Sequence, residues 1–195
     1  RYEALVEGVR SEGGVLISFQ GSAGPDLLSG TFVFGGGDFP LVDQLVACAV
    51  RDHNVDQRRI FTTGCSAGGL FSAALAAERS TYIAAAATDS GGWIVPVNFK
   101  NDYTPALMTM HGLPGKDVVV VDFSVTSKTA DDAYSARGGF VMNCNTGLGH
   151  CGAWQSSPDL ISDVWRFLKA HPYGTVPSPW TAALPDDFHS TCKVY

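Results

Sequence analysis

Hydrophobic positions along the chain switch repeatedly between helical and strand spacing, and the switches lay out an alternating order of elements. Leu5, Val6 and Val9 share one face of a helix over Tyr2–Ser11, which Gly13-Gly14 ends. Val15–Phe19 follows as a nearly continuous apolar run, the pattern of a buried strand. From Pro40 to His53, Leu41, Leu45, Val46, Ala49 and Val50 recur at helical spacing. Pro40 stands in the first turn, where its missing N–H has no partner to lose. Arg59–Thr63 reads as a short β-branched strand, and Ile83–Thr88, Ala106–His111 and Phe140–Cys144 read as three more. The alanine-rich stretch from Leu70 to about Arg79 and the amphipathic stretch Asp159–Ala170 read as helices.

Strands that alternate with helices connect by right-handed crossovers and form a mostly parallel sheet with helices on both faces. In such a sheet the loops at the carboxyl ends of the strands build the active edge. Each strand here ends at polar or glycine-rich sequence: Gly64–Gly69, Asp89–Trp93, His111-Gly112 and Thr146–His150. Ser22–Phe39 and Trp93–Thr104 have no periodicity and read as loops bordering a site. Residues 1–195 read as a single domain with an irregular tail over 172–195 and no repeats.

Two of those strand ends carry reactive side chains beside cysteines. Gly64-Cys65-Ser66-Ala67-Gly68 has the G-x-S-x-G spacing of a nucleophile elbow, a tight strand-to-helix turn that lifts a serine hydroxyl clear of the sheet. The competing reading of Ser66 is a plain helix N-cap. His150, in a glycine-rich loop after the last of the four strands, is the candidate base; an imidazole serving Ser66 must come within about 3 Å of its hydroxyl. That approach brings Cys65 and Cys151 close enough for a disulfide. The acid candidate is Asp117, beyond His111-Gly112, with Asp122 as main competitor and Asp89 as third choice. His111 reads as support for the turn that positions the acid, and Asp131 and Asp132 read as helix N-terminal charges. The N–H of Ala67 is one oxyanion donor by its place after the nucleophile. For the second, Gln20–Gly24 follows a strand, but the stretch after Gly24 is too short and irregular for the helical crossover expected next, which favours a missing upstream segment. Trp93 and Trp154 are candidate substrate-binding aromatics or core residues.

Composition narrows the setting. With 195 residues, 45% hydrophobic and 16% charged, the chain can bury one core. A net charge of −6 with no basic cluster argues against nucleic-acid and anionic-membrane binding. No apolar run reaches the ~20 residues of a membrane span, and no signal peptide begins at Arg1, so a processed or truncated start is expected. Five cysteines favour an oxidising, secreted or periplasmic setting. Cys144 with Cys192 would pin the tail to the last strand, and Cys48 reads as a small core residue on the buried helix face.

Val55-Asp-Gln-Arg-Arg-Ile-Phe-Thr-Thr-Gly-Cys-Ser-Ala-Gly-Gly69 resembles the elbow region of secreted α/β-hydrolases of the polyhydroxybutyrate depolymerase and feruloyl/acetylxylan esterase group. Pro105–Gly112 followed by Asp117 is similar to that group's acid loop, and Asp163–Leu168 to its final helix; the likeness covers most of Pro40–His171. Compared with the group, the spacing from His111-Gly112 to Asp117 is long, and the first strands and the His-Gly oxyanion loop are missing. The Cys-Ser and His-Cys neighbours resemble the linked catalytic loops of tannases. The resemblance implies an α/β-hydrolase fold and a serine esterase in which Ser66 attacks an ester carbonyl, His150 shuttles the proton and Asp117 orients His150. No metal or cofactor is implied. The rival readings are a peptidase or thioesterase on the same fold and a non-catalytic polymer-binding relative.

Overall fold

The computed structural model describes residues 3–19, 21 and 34–195. Two helices come first, α1 (Glu3–Ser11) and α2 (Asp38–His53), the second closed by Asn54 in the left-handed region at φ 51°. Strand β1 (Phe61–Cys65) leads into α3 (Ala67–Glu78), and β2 (Ala85–Asp89) and β3 (Ala106–His111) follow. Then come α4 (Phe123–Ala136), β4 (Val141–Asn145), the short α5 (Gly152–Ser156), α6 (Pro158–Ala170) and β5 (Cys192–Val194). The sheet runs β1-β2-β3-β4-β5, parallel throughout except for antiparallel β5.

Both faces of this sheet are covered, which is why its strands read as continuous apolar runs rather than alternating ones. On one face Ala85, Ala87, Met108, Met110 and Met142 meet Leu160, Val164 and Phe167 of α6 and Leu5 and Val9 of α1. On the other, Ala86, Leu107 and Val141 meet Ala73, Ala76 and Ala77 of α3 and Tyr134 of α4. Alternate residues of one strand thus enter opposite clusters, as the two-residue period of a strand requires. The alanines of β2 and α3 leave little side-chain bulk between strand and helix, so the two backbones pack closely.

Four features depart from the expectation. Residues 15–19 form no ladder, and Val15, Leu16 and Ile17 are exposed beside an apolar cavity of about 920 Å³ that β1, α2 and α3 also line. An apolar run records a preference for burial, but a strand also needs a neighbour's backbone groups within reach. Cys48 is exposed rather than core. Val42 and Ala49, seven positions apart on one stripe, are the buried residues of that part of α2, and Cys48 falls well off that stripe. Asp131 is not at a helix start: α4 begins at Phe123, with Asp122 as N-cap, so Asp131 sits in its interior. The tail, finally, is irregular only up to β5, whose Cys192 is the register partner of Cys144 and is joined to it by a disulfide.

Asp131 is fully buried and accepts hydrogen bonds from Thr109 Oγ1 at 2.9 Å and Asn143 Nδ2 at 2.7 Å. Asn143 Nδ2 also reaches His111 Nε2 at 3.1 Å, so a polar chain runs from α4 beneath the carboxyl end of β3. Burial pushes the Asp131 carboxyl up to about 7 against the hydrogen bonds that favour its charge.

Two outcomes follow for stability. Leu107 is fully buried between sheet and helices, and Leu107→Ala lowers unfolding free energy by about 2–5 kcal/mol in urea titration at unchanged m; a loss under about 1 kcal/mol contradicts this packing. Because folding raises the Asp131 pKa, the native state holds a proton that the unfolded chain releases. This group therefore costs stability progressively as pH rises from about 4 to about 7, and by a constant amount above that. Asp131→Asn, which cannot ionise, gains in urea midpoint relative to the native chain between about pH 4.5 and pH 8. A difference that stays constant across that range contradicts the assignment.

Candidate active site

The elbow forms where β1 gives way directly to α3. Gly64 lies so close to Gly68 that a Cβ on it would sit 2.6 Å from that residue's carbonyl, so only glycine permits the turn. Between them Ser66 takes φ 57° and ψ −126°, a conformation that non-glycine residues seldom adopt. Its N–H donates to Asp89 O at 3.1 Å, tying the turn to the end of β2. Ala67, as the first residue of α3, has an N–H with no acceptor inside the helix. Of the Gln20–Gly24 stretch, the less favoured source of a second donor, all but Gly21 lies outside the described residues.

His150 lies on the loop between β4 and α5, two strands across the sheet from β1's neighbour. Its Nε2 is 2.9 Å from Ser66 Oγ, and its Nδ1 is 3.0 Å from Asp117 Oδ1. The imidazole therefore accepts from the serine on one side and donates to the carboxylate on the other. The Phe123 ring lies against it, centroids 4.8 Å apart, and Gln155 Nε2 donates to its carbonyl at 3.0 Å. Cys151, the next residue, has φ 54° and is joined to Cys65 by a disulfide with Cα atoms 5.8 Å apart. Cys65, His150 and Cys151 offer ligand atoms within 4.8 Å of one another, yet the two sulfurs are committed to each other and the imidazole to Ser66 and Asp117.

Asp117 is fully buried, and three donors hold it: His150 Nδ1 on Oδ1, and Ser90 Oγ at 2.8 Å and Gly112 N at 3.1 Å on Oδ2. Gly112 is required there because a Cβ on it would strike the Leu148 carbonyl. His111 donates from Nδ1 to Gly112 O at 2.7 Å and accepts from Asn143 on Nε2, supporting this turn as its sequence context suggested. The competing acids are occupied elsewhere. Asp122 caps α4 by accepting from Ser124 N at 3.0 Å, and its hydrogen bonds with Ser124 and Gly115 lower its pKa. Asp89 accepts from Trp154 N at 3.0 Å; burial, reinforced by the nearby Asp117, pushes its carboxyl up to about 7.

Both aromatic candidates are buried in the core, and Trp154 also lines the 920 Å³ cavity. Trp93 is 3% exposed and packs on Phe99 and Tyr134, while Trp154, 4% exposed, joins the α6-side cluster. Both follow strand ends, where the chain turns back over the sheet and large rings complete the core. The 920 Å³ cavity touches Gly64, Cys65 and Gly68 but none of Ser66, His150 and Asp117, so it flanks the elbow without covering the hydroxyl. Sequence reasoning passed over Ser90. Its signal was a polar residue at a strand end, which in Asp89-Ser-Gly-Gly reads only as a turn.

No family model and no curated protein matches this chain. Solved structures do. One is native pOPH, 21% identical, covering 80% of this chain and 58% of its own length with a TM-score of 0.67. Another is the Bacillus cereus carboxylesterase, 16% identical over 85% of this chain and 79% of that one, TM-score 0.59. A thermostable esterase is 20% identical over 70% and 37%, TM-score 0.53. The chain thus spans under two thirds of the length of pOPH. Together with the parallel sheet and the elbow, these likenesses establish that the chain has the α/β-hydrolase fold.

Proposed function

We propose that the protein is a serine hydrolase of carboxylic esters. The observation that carries this reading is the unbroken contact from Ser66 Oγ through His150 to Asp117, 2.9 Å and 3.0 Å, built on an elbow with a strained serine. In this reading the hydroxyl attacks the ester carbonyl as Nε2 takes its proton, and the imidazolium then gives that proton to the departing alcohol. Water enters the acyl-enzyme by the same route in reverse. Buried Asp117 stabilises the imidazolium and holds its Nδ1–H, and the Ala67 N–H meets the oxyanion. Oxyanion and imidazolium charges develop together only as the tetrahedral species forms, so preorganised donors lower the barrier more than they tighten substrate binding.

Ester rather than amide chemistry is supported by the sequence resemblance around Val55–Gly69 and by neighbours described as a carboxylesterase and an esterase. The same resemblance supports a polyester, or an aromatic or acetyl ester of plant polysaccharide, as substrate. Two disulfides favour an oxidising compartment, secreted or periplasmic. Among the described residues no helix is long and apolar enough to cross a membrane.

On p-nitrophenyl butyrate, Ser66→Ala and Asp117→Asn each lower kcat by on the order of 10⁴-fold while the fold persists by circular dichroism. A fluorophosphonate probe labels the native chain at Ser66. A folded Ser66→Ala variant with full turnover, or a native chain that resists the probe, removes the proposal.

A further inference from the structure

One hydroxyl outside the proposed triad joins Asp117 to the residue beside His150. Ser90 follows the last residue of β2 and is fully buried. Its Oγ donates to Asp117 Oδ2 at 2.8 Å and accepts from Cys151 N, the amide next to the base, also at 2.8 Å. With Asp117 Oδ1 on His150 Nδ1, the contacts close a ring that runs Ser90, Asp117, His150, Cys151 and back to Ser90. Ser90 and Gly112 N together occupy Oδ2, which leaves Oδ1 to face the imidazole.

The backbone makes this more than a convenient place for a serine. Ser90 has φ 47°, in the left-handed region, and its N–H donates to Met110 O at 2.8 Å. Glycine adopts that conformation with less strain. A serine there costs conformational energy, and what it adds over glycine is the hydroxyl. That hydroxyl is directed at the acid and at the base's own loop, with no other partner among the described residues.

We infer that Ser90 is a positioning residue of the proposed Ser66–His150–Asp117 site, fixing the carboxylate rotamer and the height of the His150 loop at once. This rests on the esterase reading above. Ser90 meets no substrate; it acts through Asp117 on an imidazolium that exists only after Ser66 has been deprotonated. Its removal therefore lowers kcat and leaves KM in place.

The test compares the native chain, Ser90→Gly, Ser90→Ala and Asp117→Ala on p-nitrophenyl butyrate, with thermal unfolding of each. Ser90→Gly removes the hydroxyl while easing the backbone, which offsets part of the cost of leaving Cys151 N without its acceptor, so its unfolding midpoint shows whether it stays folded at the assay temperature; Ser90→Ala repeats the loss with the side-chain volume nearly kept. For one buried hydrogen bond to a charged group the expected fall in kcat is about 10- to 100-fold, with KM unchanged and labelling of Ser66 by fluorophosphonate slowed in parallel. In an Asp117→Ala background, Ser90→Gly costs less than in the native chain, because the acid it orients is gone and only its bond to Cys151 N remains to be lost. Native kcat in either folded variant, a rise in KM with kcat retained, or equal losses with and without Asp117 overturns the inference. If the native chain itself shows no Ser66-dependent turnover, the esterase reading fails and the positioning role falls with it. Native turnover that depends on Ser66 but not on Ser90 spares the reading and removes only the inference.

Discussion

The bond between Cys65 and Cys151 is the constraint on which the candidate site depends. The elbow belongs to β1 and the imidazole to the loop after β4, and two strands lie between them. At about 4.8 Å per strand the two elements are roughly 14 Å apart across the sheet. For Nε2 to stand 2.9 Å from Ser66 Oγ, the loop after β4 must lean back over the ends of β3 and β2. The disulfide holds it there, one residue from the nucleophile and one residue from the base. It closes a segment of 86 residues, which in the chain-entropy account is worth roughly 4 kcal/mol. The same bond therefore contributes to stability and fixes the reacting geometry.

Beneath that covalent tie, the end of β2 joins the remaining pieces by hydrogen bonds. Asp89 O accepts from Ser66 N, and Asp89 Oδ2 accepts from Trp154 N at the start of α5. Ser90 then engages Asp117 and Cys151. Two adjacent residues thus contact Ser66, Asp117 and the loop that carries His150. Asp89 and Asp117 are both buried, and a pair of close carboxylates avoids holding two charges. The donors differ: Asp117 has three, while desolvation, reinforced by Asp117, raises the Asp89 carboxyl to about 7.

Much of this was legible in the sequence for physical reasons that can be named. Glycines at 64, 68 and 69 around a serine, after a β-branched run, leave few conformations other than the elbow. Cysteines flanking Ser66 and His150 come within bridging distance once those two must touch. What escaped depends on long-range partners. Val15–Phe19 has a strand's composition, but no ladder forms there. Trp93 and Trp154 follow strand ends, and only the three-dimensional path shows both buried, Trp154 beside the 920 Å³ cavity. The start of α4 was misplaced at Asp131 because Ser, Thr and Lys fill its first turns, so its inward residues Phe123, Ala130 and Tyr134 are spread among polar ones. Asp131 and Ser90 carry no local mark at all; their roles come from Asn143 and Cys151, residues brought in by β4 and the loop beyond it.

The central claim, that the Cys65–Cys151 bridge sets the distance from base to nucleophile, is tested most directly by separating its catalytic from its stabilising effect. Turnover of p-nitrophenyl butyrate is measured for Cys65→Ala/Cys151→Ala and for Cys144→Ala/Cys192→Ala, each well below its own unfolding midpoint. Both pairs lose thermal stability, since each removes a disulfide. The account predicts that only the first loses kcat while still folded. Equal kcat in the two folded variants contradicts it.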